Sequence, residues 1–167
     1  MGPGPTTSAA VKPGLPQLVR NPVQFLAFGF GSGLAPRAPG TVGTMVAVAL
    51  YLLFSHLDIV LYTLLVAVAA VLGVWLCGVA SRQLNVHDHP GIVWDEFVGY
   101  WITMWALPAD WLWILAGFVV FRVYDIAKPW PVGMLDRHVE GGLGIMLDDM
   151  IAGAMACLTL HIALWIM

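Results

Sequence analysis

Five carboxylates stand beside long apolar runs in three short patches: Trp94-Asp95-Glu96, Tyr124-Asp125-Ile126-Ala127-Lys128 and Leu147-Asp148-Asp149. The whole chain carries only ten acidic residues. A carboxylate at the edge of a bilayer is costly and marks a functional position. Asp95, Glu96, Asp125, Asp148 and Asp149, converging from three segments, would make an oxygen-rich shell for a hard divalent cation such as Mg²⁺. One acid at a helix start is ordinarily a cap. A second acid beside it repels the first unless the two share a cation.

Cations and hydroxyls accompany the acids. Arg122, Asp125 and Lys128 recur every third residue, so they share a helical face, and Pro129 stops that helix. A local salt bridge accounts for this spacing, as does a metal ligand flanked by two phosphate-binding cations. His87-Asp88-His89 is a polar loop in which His89 could ligate metal or act as a general base; a plain solvated loop has the same composition. Arg37, between Pro36 and Pro39, is a candidate phosphate contact, and Ser32 and Thr41 are candidate hydroxyl ligands or phosphate donors. Gly141-Gly142-Leu143-Gly144 reads as a turn before a last helix that Asp148 and Asp149 open. There the backbone around Gly142 can approach a ligand and offer N–H groups to phosphate. Taken together, the set fits metal-assisted phosphoryl transfer on a lipid. Glu96, His89 or a metal-bound hydroxide could activate water; a covalent phospho-enzyme on Asp or His is a second route.

Other phosphatase chemistries do not match. Cys77 precedes Arg82 by one residue too few for Cys-x5-Arg, and the Asp-x-Asp-x-Thr, Pro-Ser-Gly-His and Asp-Gly-x2-Ala-Arg patterns are absent. Gly29-x-Gly31-x-Gly33 has no βαβ surroundings and is no dinucleotide fingerprint.

The positioning elements must be membrane helices. The 167 residues are 60% hydrophobic and only 10% charged, with mean hydropathy +0.85; a soluble domain carries about 25% charged residues. A net charge of −3 offers nothing to nucleic acid. Cys77 and Cys157 lie in apolar runs and read as small buried hydrophobes rather than a disulfide. Residues 1–20 are rich in Pro and Gly and are expected to be a disordered tail without a cleavable signal peptide; 21–167 form one membrane-embedded domain. Residues 22–34 are too short to span and suggest an interfacial or re-entrant helix. Spans are expected at 38–57, 59–80, 92–108, 111–127 and 148–167, the 92–127 hairpin either crossing fully or re-entering, with His56-Leu57-Asp58 as the tight turn between the first two. The fold class is thus an all-α, polytopic membrane bundle of four to five transmembrane or re-entrant helices. Lys12, Arg20, Arg37, Arg82, Arg122, Lys128 and Arg137, the seven basic residues, then fall on one side with the acid patches, which the positive-inside rule makes cytoplasmic. His56, Asp58 and Asp110 take the other face. Gly73, Gly78, Gly99, Ala152 and Gly153 permit close helix packing, a homodimer included.

Read in order, these motifs resemble the phosphatidylglycerophosphatase A family. The matching stretches are Gly29 to Pro36, Pro39-Gly40-Thr41, Val86 to His89, Ile92 to Glu96, Phe121-Arg122, Asp125, Lys128 to Pro131, Asp136-Arg137 and Gly141 to Asp149. The resemblance covers residues 25 to about 155. It implies a multi-pass enzyme of the bacterial inner membrane, hydrolysing phosphatidylglycerol phosphate with Mg²⁺ at a site facing the cytoplasm. Asp95, Glu96, Asp125, Lys128 and His89 are then the candidate catalytic groups. Arg37, Ser32, Thr41, Arg122, Gly142 and Arg137 are the candidate phosphate contacts. The rival reading is a small cation transporter or channel subunit, which would keep its acids near the midplane.

Overall fold

In the computed structural model, which describes residues 13–86, 89–129 and 141–167, apolar stretches punctuated by Pro, Asp and Asn fold into helices. They are α1 (Leu15–Arg20), α2 (Pro22–Ala27), a 3-10 turn (Gly29–Leu34), α3 (Pro39–Phe54), α4 (Ile59–Leu84), α5 (Trp94–Thr103), α6 (Trp111–Ala127) and α7 (Gly141–Ile166). There is no strand among the described residues.

The boundaries have local causes. Asp58 accepts from the N–H groups of Val60 at 3.0 Å and Leu61 at 3.1 Å and so caps α4. Asp110 accepts from Trp113 N–H at 3.4 Å and caps α6. Asn85 and Lys128 end those two helices in the left-handed conformation. The His56–Asp58 turn lies where the sequence puts it.

α5 is the centre of the bundle. Trp94, Phe97, Val98, Gly99, Tyr100, Trp101 and Thr103 are all buried, and α5 lies against α7, α3, α4 and α6. Its backbone meets α7 closely: a Cβ on Gly153 would run into the Gly99 carbonyl. Gly73 packs on Met146 and Trp94, and Gly78 on Gly142. The close helix packing that these small residues permit is thus used within the chain.

Two helices, α4 and α7, each of 26 residues, are long and apolar enough to cross a membrane, at roughly 39 Å each. The outer face of α4 exposes Leu61, Leu64, Val68, Val71, Leu72 and Trp75, a surface that suits lipid and not water.

Four expectations change. The 92–108 span is a helix of only 10 residues, roughly 15 Å, about half a hydrocarbon core. The apolar run continues, but Ala106 turns left-handed (φ 55°) and Leu107 precedes Pro108, which disfavours helix. The last helix starts at Gly141 rather than 148, so the glycines form its first turn. The 22–34 segment is not one helix: Phe30 (φ 58°) and Gly31 (φ 96°) break it after α2. Leu15–Arg20, read as tail, form α1 with Leu18 fully buried.

Candidate active site

The start of α3, the start of α5, the end of α6 and the first half of α7 meet at one end of the bundle. They enclose a cleft of about 400 Å³ lined by Ala38, Pro39, Gly40, Pro90, Ile92, Asp95, Glu96, Arg122, Asp125, Ile126, Lys128, Gly144, Ile145, Asp148 and Asp149. All five acids named from the sequence are there, and so are Arg122 and Lys128.

The acids are held by cations across helices. Arg122 Nη1 lies 2.5 Å from Asp125 Oδ2 on its own helix and 3.6 Å from Glu96 Oε1 on α5. Lys128 Nζ donates to Asp148 Oδ2 at 2.8 Å, joining the end of α6 to α7. Asp95 Oδ1 accepts from the Glu96 N–H at 3.1 Å. Asp148 and Asp149 are buried and lie two turns inside α7, so they do not serve as caps.

Asp149 is the most enclosed. Asp95, Asp125 and Arg122 act on it, and its carboxyl is within hydrogen-bonding reach of Asp125. Its Oδ2 is buried with no hydrogen-bond partner among the described residues. Two carboxyls that close must share a proton or a cation. An unsatisfied buried oxygen next to them fits a hard cation. Among the described residues no three His, Cys, Asp or Glu side chains are already gathered around one point; Arg122 and Lys128 stand between the acids instead.

Room for Glu96 comes from α3. A Cβ on Gly40 would overlap Glu96 Oε1, and one on Gly43 would come within 2.9 Å of Glu96 Oε2. Neither glycine was singled out as a site residue from the sequence. Their three-residue spacing after Pro39 is a visible signal of a close helix approach, but the partner, Glu96, lies far along the chain on α5. Ala38, in the left-handed region (φ 47°), aims the start of α3 at the cleft.

The other sequence candidates lie elsewhere. Ser32 lines no part of the cleft; its hydroxyl donates to the Gly29 carbonyl at 2.8 Å and belongs to the 3-10 turn. Arg37 is exposed just before α3, and Thr41 is half-buried on α3, outside the cleft lining. His89 is fully buried, accepts from Gly91 N–H at Nδ1 (3.0 Å) and packs in a tilted ring pair with Phe28, centroids 5.3 Å apart. Gly142 does not form a phosphate-facing turn: it packs on Val74 and Gly78 of α4. Arg137, with His87, Asp88 and Asp136, lies outside the described residues.

The cleft can hold a divalent cation or a small anion at the edge of an apolar bundle. Comparison with known proteins agrees with phosphate chemistry. A protein of Escherichia coli K12 named phosphatidylglycerophosphatase A is 50% identical over 137 residues, covering 81% of this chain and 80% of that one. One of the same name from Haemophilus influenzae is 45% identical over 138 residues, covering 81% of this chain and 85% of that one. No solved structure matches. Residues 25–164 match the family model described as phosphatidylglycerophosphatase A, and the chain belongs to that family.

Proposed function

We infer that the chain hydrolyses phosphatidylglycerol phosphate to phosphatidylglycerol and inorganic phosphate, a step towards phosphatidylglycerol and cardiolipin, at a bacterial inner membrane. The observation that carries this is the single cleft in which five acids meet Arg122 and Lys128 at one end of an apolar bundle. A phosphomonoester brings about two negative charges at neutral pH. It enters a cleft of acids only with cations to meet it. Arg122 offers a planar guanidinium to the phosphate oxygens. Lys128 exchanges Asp148 for phosphate.

Mg²⁺ is the cofactor this set suits. Asp125 and Asp149 would hold it, with Asp95, Glu96 and Asp148 around them, since Mg²⁺ takes one or two carboxylates and fills its remaining positions with water and substrate oxygens. Bound there, it would supply Lewis acidity to the phosphate. The water oxygen forms a bond to phosphorus as the ester bond breaks. The proton of that water goes to a cleft carboxylate, Glu96 being held beside Arg122 for the role, and the leaving oxygen of the glycerol takes a proton in turn. His89, enclosed behind Phe28, acts by holding the 89–93 segment.

The basic residues support an orientation. Arg82, Arg122 and Lys128 gather at the cleft end, and Asn21 donates to Gln83 at 2.7 Å, which brings Arg20 there as well. That end is cytoplasmic. α3, α4, α6 and α7 cross the bilayer, and α5 enters and turns back. A cation transporter has no support from the relatives, and its acids would sit at mid-depth rather than beside Arg122 and Lys128.

The test is phosphate release from phosphatidylglycerol phosphate by purified protein in detergent, with Mg²⁺ and with EDTA. Wild type should turn over only with Mg²⁺, and Asp95→Asn should be at least ~10²-fold slower while accumulating normally. Mg²⁺-independent release by wild type, or full activity in Asp95→Asn, removes the metal assignment.

A further inference from the structure

α3 and α6 both line the polar cleft, and below it the same two helices line a separate apolar groove. On α6, Phe118 stands one turn before Arg122, and Ile114 and Leu115 one turn before Phe118, so these residues form one stripe ending at the guanidinium. On α3, Gly40 lies against Glu96 and Arg122, and Met45 and Val48 follow below it. The helices run in opposite directions, and the depths agree: Val48 is eight residues past Gly40, and Ile114 is eight before Arg122, roughly 12 Å in each case. Between them lies a groove of about 180 Å³ lined by Met45, Val48, Ile114, Leu115 and Phe118. Ile114 forms its buried floor, and Met45 (59% exposed) and Leu115 (55% exposed) form open rims. No side chain in it is charged or hydrogen-bonding.

We propose that this seam seats an acyl chain of the phospholipid substrate, so that Met45, Val48, Leu115 and Phe118 select for a lipid over a free head group. The proposal rests on the phosphatase reading. A larger apolar groove, lined by Leu64, Leu65, Val68 and Leu72 of α4 with Trp94 and Trp101 of α5, does not serve as well. It is separated from the cleft by the packing of Gly29 on Val93 and Phe97, of Gly33 on Gly91 and of Gly43 on Val93. Of these two grooves, the α3–α6 seam is the one with the acids and Arg122 at its head.

The experiment compares long-chain phosphatidylglycerol phosphate with its deacylated head group, for wild type, Val48→Trp, Leu115→Trp and the α4-groove control Leu64→Trp. With the long-chain lipid, KM should rise about tenfold or more in the two seam variants, while their turnover of the head group and all values for Leu64→Trp stay within about twofold of wild type. A lipid with a photoreactive group on its acyl chain should label wild type within residues 45–48 and 114–118, which tests the seam without a variant that has to fold. Equal losses on both substrates in the seam variants, a selective loss in Leu64→Trp, or labelling confined to residues 64–72 overturns the proposal. No phosphate release by wild type from either substrate defeats the phosphatase reading, and the seam assignment with it.

Discussion

Each end of the bundle carries aspartates, and they behave differently. At the far end, Asp58 and Asp110 stand singly, and each accepts from backbone N–H groups of the helix it starts. At the cleft end, Asp125, Asp148 and Glu96 are met by Arg122 and Lys128, with Glu96 and Asp148 bridged across helices. Asp149 faces two further acids. The far-end acids satisfy their own helix and need nothing else. The cleft acids leave charge and an open oxygen facing a cavity, which is what a ligand requires. An acid in this apolar helical bundle is therefore diagnosed by its partners rather than by its place along a helix.

The largest effect should separate the two ends. Asp149→Asn keeps size and removes the ionisable carboxyl next to Asp125. Phosphate release should fall by about 10² to 10⁴, with the protein still eluting as a folded species from detergent. If Asp149→Asn retains wild-type kcat, the contrast between the ends fails.

Arg122 sharpens the contrast next. Its contacts to Asp125 and Glu96 both run through Nη1, so the rest of the planar fork is left to face phosphate oxygens, which a point charge on a flexible stem does poorly. Arg122→Ala should lower kcat/KM by about a hundredfold, and Arg122→Lys should recover only part of it. Full recovery by Lys would mean that charge alone matters and that the fork geometry does not.

Gly40→Ala probes the same geometry from α3. The added methyl overlaps Glu96 Oε1, and displacing a catalytic group by about 1 Å costs up to ~10²-fold. About a tenfold fall in kcat is expected, with a small rise in KM. Gly40→Ala with unchanged kinetics would take Glu96 out of the reaction.

Much of this arrangement was legible in the sequence. The helical class follows from apolar runs too long and too uncharged for anything else, and the α3–α4 turn from His56-Leu57-Asp58. The five acids were visible because charge is rare in such a chain. What could not be read was tertiary. Apolarity alone cannot distinguish helix from the compact turn at Met104–Leu107, so the sequence leaves open whether 92–108 crosses fully or re-enters. The glycines at 141–144 look like a turn by propensity, yet contact of Gly142 with Gly78 and Val74 makes helix the better state there. Gly40 and Gly43 matter through Glu96, a neighbour fixed only by how α3 packs on α5. His89 carried the right chemistry for a base but is enclosed with Phe28, and only packing reveals that.

The smallest effect tests the far end. Asp58→Ala removes the acceptor for the Val60 and Leu61 N–H groups at the start of α4. The loss is that of an N-cap, about 1 kcal/mol, and should appear as a lower melting temperature in detergent. Activity below that temperature should match wild type with an unchanged Mg²⁺ requirement, because α4 meets the cleft end only through its other terminus. Asp58→Asn, which keeps an accepting oxygen, should restore most of the lost stability. A fall in kcat without a change in melting temperature would give Asp58 a part in turnover and make the two ends alike. The opposite pattern, stability lost and chemistry kept, would show that one residue type does two separate jobs in this bundle, set by whether its partner is a backbone N–H or a cation.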